Sequence, residues 1–266
     1  MVYWQIRRWC TVVCVLIAGL AMFGSQTSYG EPITIDSFDL PDQGTVFMLP
    51  LLGGNQWDHS DTAGDDVILG GEREVSIGMR SGLKPDSIVA IGVVGIDLNV
   101  TDGNGMFTFG SQASRGQANS GSVVRLVYDG QGEGGLGSFD LTDGGTNTAF
   151  ALRFTGSDGV VPEGLDVTIT AASSLGGTLT YSGYIPNYSD PIVPLVHLIP
   201  FAEFTGAKST ASFDTIDKLT FEFNGDKTPN VDFSLDLVTT VPEPSSVVLL
   251  GLCVAIFVGR VVRRRR

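Results

Sequence analysis

The stretch richest in residues that could do chemistry is Asp58-x-x-Asp61-x-x-x-Asp65-Asp66. Calcium takes about six to eight oxygen ligands from carboxylates and loop carbonyls, so Asp58, Asp61, Asp65 and Asp66 form a candidate structural calcium loop. Their spacing is not that of an EF-hand loop, and a solvated acidic loop is the competing expectation. Trp57 stands at the head of this stretch and is the only tryptophan between the two chain ends, which makes it the candidate for stacking on a sugar ring. Further on, Glu72-Arg73-Glu74 follows a glycine pair. There Arg73 offers a bidentate guanidinium to an acidic neighbour, either as a structural ion pair that pins a strand or as a ligand clamp.

The two histidines suggest less. His59 lies in the polar run Asp58-His59-Ser60-Asp61 and is expected to be solvent-exposed. His197 sits among Pro194, Leu195, Val196, Leu198 and Ile199 and is expected to be partly buried rather than a catalytic base. The sequence contains no GxSxG elbow, no HExxH, no paired CxxC and no phosphate-cradling glycine motif. Glycan hydrolysis would need two carboxylates about 5 to 10 Å apart, a distance that spacing along strands does not reveal.

The elements that must position these residues are strands. Short segments rich in Val, Ile, Thr and Phe alternate with Gly, Asp, Asn and Ser clusters, as in sandwiches and barrels. Candidate strands include Ile33–Leu40, Val67–Leu69, Ser87–Leu98, Ser138–Leu141, Phe201–Phe204, Lys218–Phe223 and Asn230–Val238. In Leu219-Thr220-Phe221-Glu222-Phe223 the apolar residues share one face; in Val231-Asp232-Phe233-Ser234-Leu235-Asp236-Leu237 they do so again, with Asp232 and Asp236 toward water. Asp102-Gly103-Asn104-Gly105 and Asp143-Gly144-Gly145 supply turn residues with positive φ. Tyr184–Pro200, with four prolines, is expected to be a long ordered loop. No stretch between the ends keeps a 3.6-residue apolar period. The expected fold is all-β: a single jelly-roll-like β-sandwich over residues 31–240, between an N-terminal signal peptide and a C-terminal transmembrane sorting helix.

Charge and cysteine placement narrow the function. All 29 acidic residues lie from Glu31 to Glu243, against nine basic residues there, so this body is far more acidic than the whole-chain charge of −13. Such a surface argues against nucleic acid and anionic membrane as partners, since both require basic patches. Cys10, Cys14 and Cys253 all fall in the apolar ends, leaving the body without thiol or disulfide chemistry.

At the start, Arg7 and Arg8 precede an apolar stretch from Trp9 to Phe23, and Ser28 and Gly30 occupy the −3 and −1 positions for cleavage before Glu31. This is the pattern of a secretory signal peptide over residues 1–30, removed by signal peptidase. At the other end, residues 241–266 combine Val241-Pro242-Glu243-Pro244-Ser245, thirteen uncharged residues from Val247 to Gly259, and a run of arginines. The prolines keep the first part extended and open to another protein. Ser245–Val262 makes a helix of about 27 Å that spans a bilayer if Arg260 snorkels. Arg263, Arg264, Arg265 and Arg266 then stay on the cytoplasmic side.

This three-part tail resembles the PEP-CTERM sorting signal of Gram-negative envelope proteins. The resemblance implies processing by an exosortase near Pro242-Glu243-Pro244 and a setting in which exopolysaccharide is made. More weakly, Leu69-Gly70-Gly71-Glu72-Arg73-Glu74, Asp140-Leu141-Thr142-Asp143-Gly144-Gly145 and the Val231–Leu237 strand are similar to the jelly-roll domains that precede such tails, which implies architecture and location only. The expected function is that of an exported, non-catalytic envelope or extracellular-matrix protein, associated with extracellular polysaccharide and held transiently or permanently at the membrane. A carbohydrate-binding module and a glycan hydrolase or lyase are the alternatives. No cofactor is expected beyond the candidate calcium.

Overall fold

The computed structural model describes residues 30–38, 45–48, 57–63, 68–79, 88–94, 106–112, 122–159, 164–188, 193–206, 210–224 and 230–242. In chain order its strands are β1 (Ile33–Asp36), β2 (Thr45–Met48), β3 (Trp57–Ala63), β4 (Glu72–Met79), β5 (Ile88–Val94), β6 (Met106–Gln112) and β7 (Ser122–Tyr128). They continue with β8 (Asn147–Gly159), β9 (Leu165–Ser173), β10 (Thr178–Ile185), β11 (Leu195–Pro200), β12 (Thr205–Gly206), β13 (Ile216–Asn224) and β14 (Asn230–Pro242). Among the described residues these build two seven-stranded sheets. One runs β11-β8-β14-β6-β5-β2, with β1 beside the C-terminal half of β14; the other runs β12-β10-β9-β13-β7-β4-β3. The protein is an all-β, jelly-roll-like sandwich, as its alternating sequence predicts.

The alternation explains the packing. β9 reads LDVTITAAS, and its odd positions Leu165, Val167, Ile169, Ala171 and Ser173 are buried while the even ones are not. In β13, Leu219, Phe221 and Phe223 are fully buried, and in β14 Phe233, Leu235 and Val238 fill the facing layer. Aromatic contacts then join the sheets: Phe221 meets Phe150 of β8 at 5.7 Å between centroids, and Phe223 meets Phe233 at 4.7 Å. Each such pair adds about 0.5–1.5 kcal/mol beyond the area it buries.

Five local expectations give way. Trp57–Ala63, expected as an acidic loop, is the edge strand β3, because β4 supplies a full antiparallel ladder from Trp57↔Gly78 to Ala63↔Glu72. Cross-strand pairing outweighs the poor strand preference of Asp and Ser, and polar residues suit an edge that must not recruit another chain. The proline-rich Tyr184–Pro200 segment is partly strand: Tyr184 and Ile185 end β10, and Leu195–Pro200 forms β11 against β8. Phe201–Glu203, expected as strand, is a single 3-10 turn, as is Leu69–Gly71, where Gly70 takes φ 74. Ser138–Leu141 contributes one bridge, Phe139↔Ile216, rather than a strand.

One ion pair lies inside this core. Asp36 of β1, in the first sheet, accepts from Arg73 Nη1 of β4, in the second, and both side chains are fully buried. Asp36 also accepts from Tyr128 Oη at 2.9 Å and from the Phe38 amide at 2.8 Å. The Arg73 guanidinium lies 4.8 Å over the Phe38 ring. The structural alternative for Arg73 is therefore the one realised, with a partner that the sequence had not marked. Burial pushes the Asp36 carboxyl above its ordinary pKa, although Arg73 pulls the other way. Burial, reinforced by Asp36, pushes the Tyr128 phenol well up.

Candidate functional site

Two places combine exposed or junctional geometry with the residues marked by the sequence. The first is where the body meets its C-terminal segment. β14 continues to Pro242, with Val241 opposite Ala149 and Pro242 opposite Asn147 across a register shift. A proline can end a strand at such an irregularity because it needs no ladder hydrogen bond there. Val241 and Pro242, expected to be extended and open, are extended but paired. Glu243, Pro244, Ser245, Arg260 and Arg263 to Arg266 lie outside the described residues, as does the expected span Ser245–Val262. Among the described residues no helix is long and apolar enough to cross a membrane.

Polar side chains fasten this junction to the start of the body. β1 pairs with β14 through Ile33↔Thr240 and Thr34↔Thr239. The Thr239 hydroxyl donates to the Ile33 carbonyl at 2.8 Å, and Thr240 Oγ1 accepts from the Ile33 amide at 3.3 Å. Asn147, 1% exposed, donates from Nδ2 both to the Glu31 carbonyl and to Thr240 Oγ1, at 3.0 Å each. Next to it is the turn Asp140–Thr146. Asp140 there accepts from the Thr142 amide at 2.7 Å, the Thr142 hydroxyl at 2.5 Å and the Gly144 amide at 2.9 Å. Burial raises the Asp140 pKa, but these three donors together hold it below the usual value. Asp143 takes a left-handed φ of 48, a conformation that short polar side chains tolerate.

The second place is the outer face of the sheet that contains β3. Register sets out two cross-strand rows on it: Tyr184–Asp166–Asn224–Val123–Gly78–Trp57, and Ser182–Thr168–Glu222–Arg125–Ser76–His59. A third row contains Thr180, Thr170 and Thr220 and ends at Asp61. Ser76, Val123 and Val127 on this face are buried, so its open part lies over β13, β9 and β10. There Tyr184 is exposed, Thr168 and Ser182 approach each other at 3.4 Å between hydroxyl oxygens, and Arg125 Nε donates to Glu222 at 2.6 Å. Strands about 4.8 Å apart make the span from β10 to β3 about 24 Å.

The candidate calcium residues divide. Asp58 and Asp61 both belong to β3, where they pair with Ile77 and Glu74 of β4. Asp65 and Asp66 lie outside the described residues. Among the described residues no three His, Cys, Asp or Glu side chains are grouped to hold a metal ion. His197 is half-buried on β11, and its Nε2 has no hydrogen-bond partner among the described residues. Burial lowers its pKa and Glu203 opposes that.

Sequence reasoning missed Asn147, Thr240 and the Thr/Ser rows, and marked Asp143 only as a turn residue, which its φ of 48 bears out. Asn147 and Glu31 stand 116 residues apart, and no periodicity links them. The outward Thr residues of β9 and β13 were legible as alternation but not as neighbours.

Residues 240–266 match the family model of the PEP-CTERM protein-sorting motif. The chain thus carries the C-terminal sorting region of an exported protein, and its first three residues, Thr240 to Pro242, are also the last rungs of β14. Comparison with curated proteins gives no match. Among solved structures, the chain is similar to a family 11 carbohydrate-binding module of a cellulosomal cellulase of Clostridium thermocellum, at 16% identity, 75% coverage of this chain, 95% of that chain and a TM-score of 0.35. A family 11 module from the same organism, in complex with a β-1,3-1,4-mixed-linked tetrasaccharide, stands at 15% identity, 75% and 96% coverage and a TM-score of 0.35. A structure described under carbohydrate-binding modules of the β-sandwich superfamily stands at 7% identity, 79% and 98% coverage and a TM-score of 0.30.

Proposed function

We propose that this chain is a non-catalytic envelope or extracellular-matrix protein, delivered outside the cytoplasm by an exosortase that acts on its C-terminal signal. The supporting observation is the continuity of β14 into the matched sorting segment: no linker separates Leu237 of the sheet from Pro242 of the motif. The sandwich is therefore the cargo that sorting delivers. Signal peptidase removes the leader before Glu31, the helix after Pro244 holds the chain in the membrane until the exosortase acts, and Arg263–Arg266 mark the cytoplasmic end. The carboxylates of Glu222, Asp236 and Asp129 are each engaged by a cation on a neighbouring element, Arg125, Arg153 and Lys218, at 2.6, 2.5 and 2.8 Å. Carboxylates engaged in this way support the scaffold reading.

The intact mass of the protein from envelope and from medium tests this reading. A species running from Glu31 to the neighbourhood of Pro242-Glu243-Pro244 is expected, and replacing those three residues by alanine is expected to leave a larger, membrane-bound species. Equal masses for the two would overturn exosortase processing.

A second reading, carbohydrate binding by the body, draws on the outer face over β9, β10 and β13. An exposed tyrosine beside rows of hydroxyls offers one ring for stacking and several donors and acceptors for sugar hydroxyls. Extracellular polysaccharide is the expected partner, and a calcium ion at the Asp58–Asp66 segment would be structural support for the edge near Trp57.

A further inference from the structure

We infer that the amino terminus created by leader removal is itself a locking element of the fold, with the Glu31 α-ammonium paired to the Asp143 carboxylate and β1 held thereby on β14. The inference rests on the leader reading, with the cut between Gly30 and Glu31. Hydrolysis of that amide by water leaves a carboxylate on Gly30 and an amine on Glu31, which takes up a proton at neutral pH. The nitrogen concerned already has a place in the structure: the Glu31 backbone N donates to Asp143 Oδ2 at 3.2 Å. Cleavage therefore converts a neutral amide donor into a cationic one at the same point, and charge-assisted bonds are about twice as strong as neutral ones.

The acceptor is fixed before the donor arrives. Asp143 lies in a turn held by Asp140, by Gly145 N donating to Thr142 Oγ1 at 2.9 Å and by Thr146 Oγ1 donating to the Asp143 carbonyl at 2.8 Å. Asn147 grips the Glu31 carbonyl from the other side. Its own Oδ1 is buried without a partner among the described residues. Because Asn147 also holds Thr240, the residue at which the sorting segment begins, one cluster ties together both ends at which the chain is processed.

The pH dependence has a definite sign. A free α-amine titrates near about 7.7–8.0, and a facing carboxylate raises that value in the folded state. The added stability is complete below the unfolded value and is lost as pH rises through the folded one. The test uses the full chain in two forms, processed and leader-retained (the latter by Ser28→Phe at the −3 position), each with and without Asp143→Asn. N-terminal sequencing of the processed form is expected to begin at Glu31. Asp143→Asn is expected to lower the thermal midpoint of the processed form by about 1–3 °C more than that of the retained form at pH 7, with the difference gone at pH 10. Equal losses in a protein that begins at Glu31 overturn the lock alone. A first residue other than Glu31 overturns the leader boundary and the lock with it. Should the Asp143 variant fail to accumulate, α-amine labelling of the processed wild type decides: a midpoint above pH 8 supports the lock, and one at the ordinary 7.7–8.0 overturns it.

Discussion

The end of the sandwich where β1, β8 and β14 meet and the outer face over β9, β10 and β13 are built on opposite rules. At the junction the buried polar side chains each reach across elements to specific partners: Asp36 to Arg73 and Tyr128, Asn147 to Glu31 and Thr240. On the outer face the polar groups are many, similar and at least partly wet, and the Arg125–Glu222 pair leaves the arginine side chain 39% exposed. The same chemistry, an arginine beside a carboxylate, thus has two different consequences. Buried, the loss of one partner strands a charge; exposed, water takes its place. A fold organised this way concentrates its buried polar bonds where the start of the body meets the matched C-terminal segment.

Substitutions that remove one member at a time probe this difference. Arg73→Met leaves Asp36 buried without its cation, and is expected to cost about 3–5 kcal/mol, a fall of roughly 10 °C in the thermal midpoint for a body of this size. Asp36→Leu combined with Arg73→Met should recover only part of that loss: two apolar side chains carry no buried charge, but the Tyr128 hydroxyl and the Phe38 amide lose their acceptor; a double variant as unstable as the single would show that the pair itself holds the sheets together. Asn147→Ala removes the bonds to Glu31 and Thr240 and is expected to cost about 1–3 kcal/mol, with β1 more open to limited proteolysis. Protection of β1 equal to wild type would mean that the Ile33–Asp36 ladder suffices alone.

On the outer face the effects should be small in stability and visible elsewhere. Glu222→Gln is expected to change unfolding free energy by about 1 kcal/mol or less, and less still at high salt. Tyr184→Ala should leave stability within about 0.5 kcal/mol while lowering retention on extracellular polysaccharide. Unchanged retention would remove the sugar reading from this face and leave the protein a scaffold alone.

Much of this molecule was legible before any coordinates. The period-two alternation of Leu219–Phe223 and Phe233–Leu235 fixed which residues fill the core, since a strand has only two faces and one of them must be dry. The sorting motif of the tail was legible too, because a proline-flanked acid, an apolar run and terminal arginines are read from neighbours along the chain. What sequence could not supply was pairing. β3 became a strand only because β4 lay beside it, and Leu195–Pro200 only because β8 did. Arg73 advertised a need for an anion, but 37 residues separate it from Asp36, and Asn147 reaches Glu31 across 116. Hydropathy and turn preference are properties of neighbours along the chain; ladders, buried ion pairs and the meeting of Glu31 with Thr240 through Asn147 belong to neighbours in space, which only the tertiary fold selects.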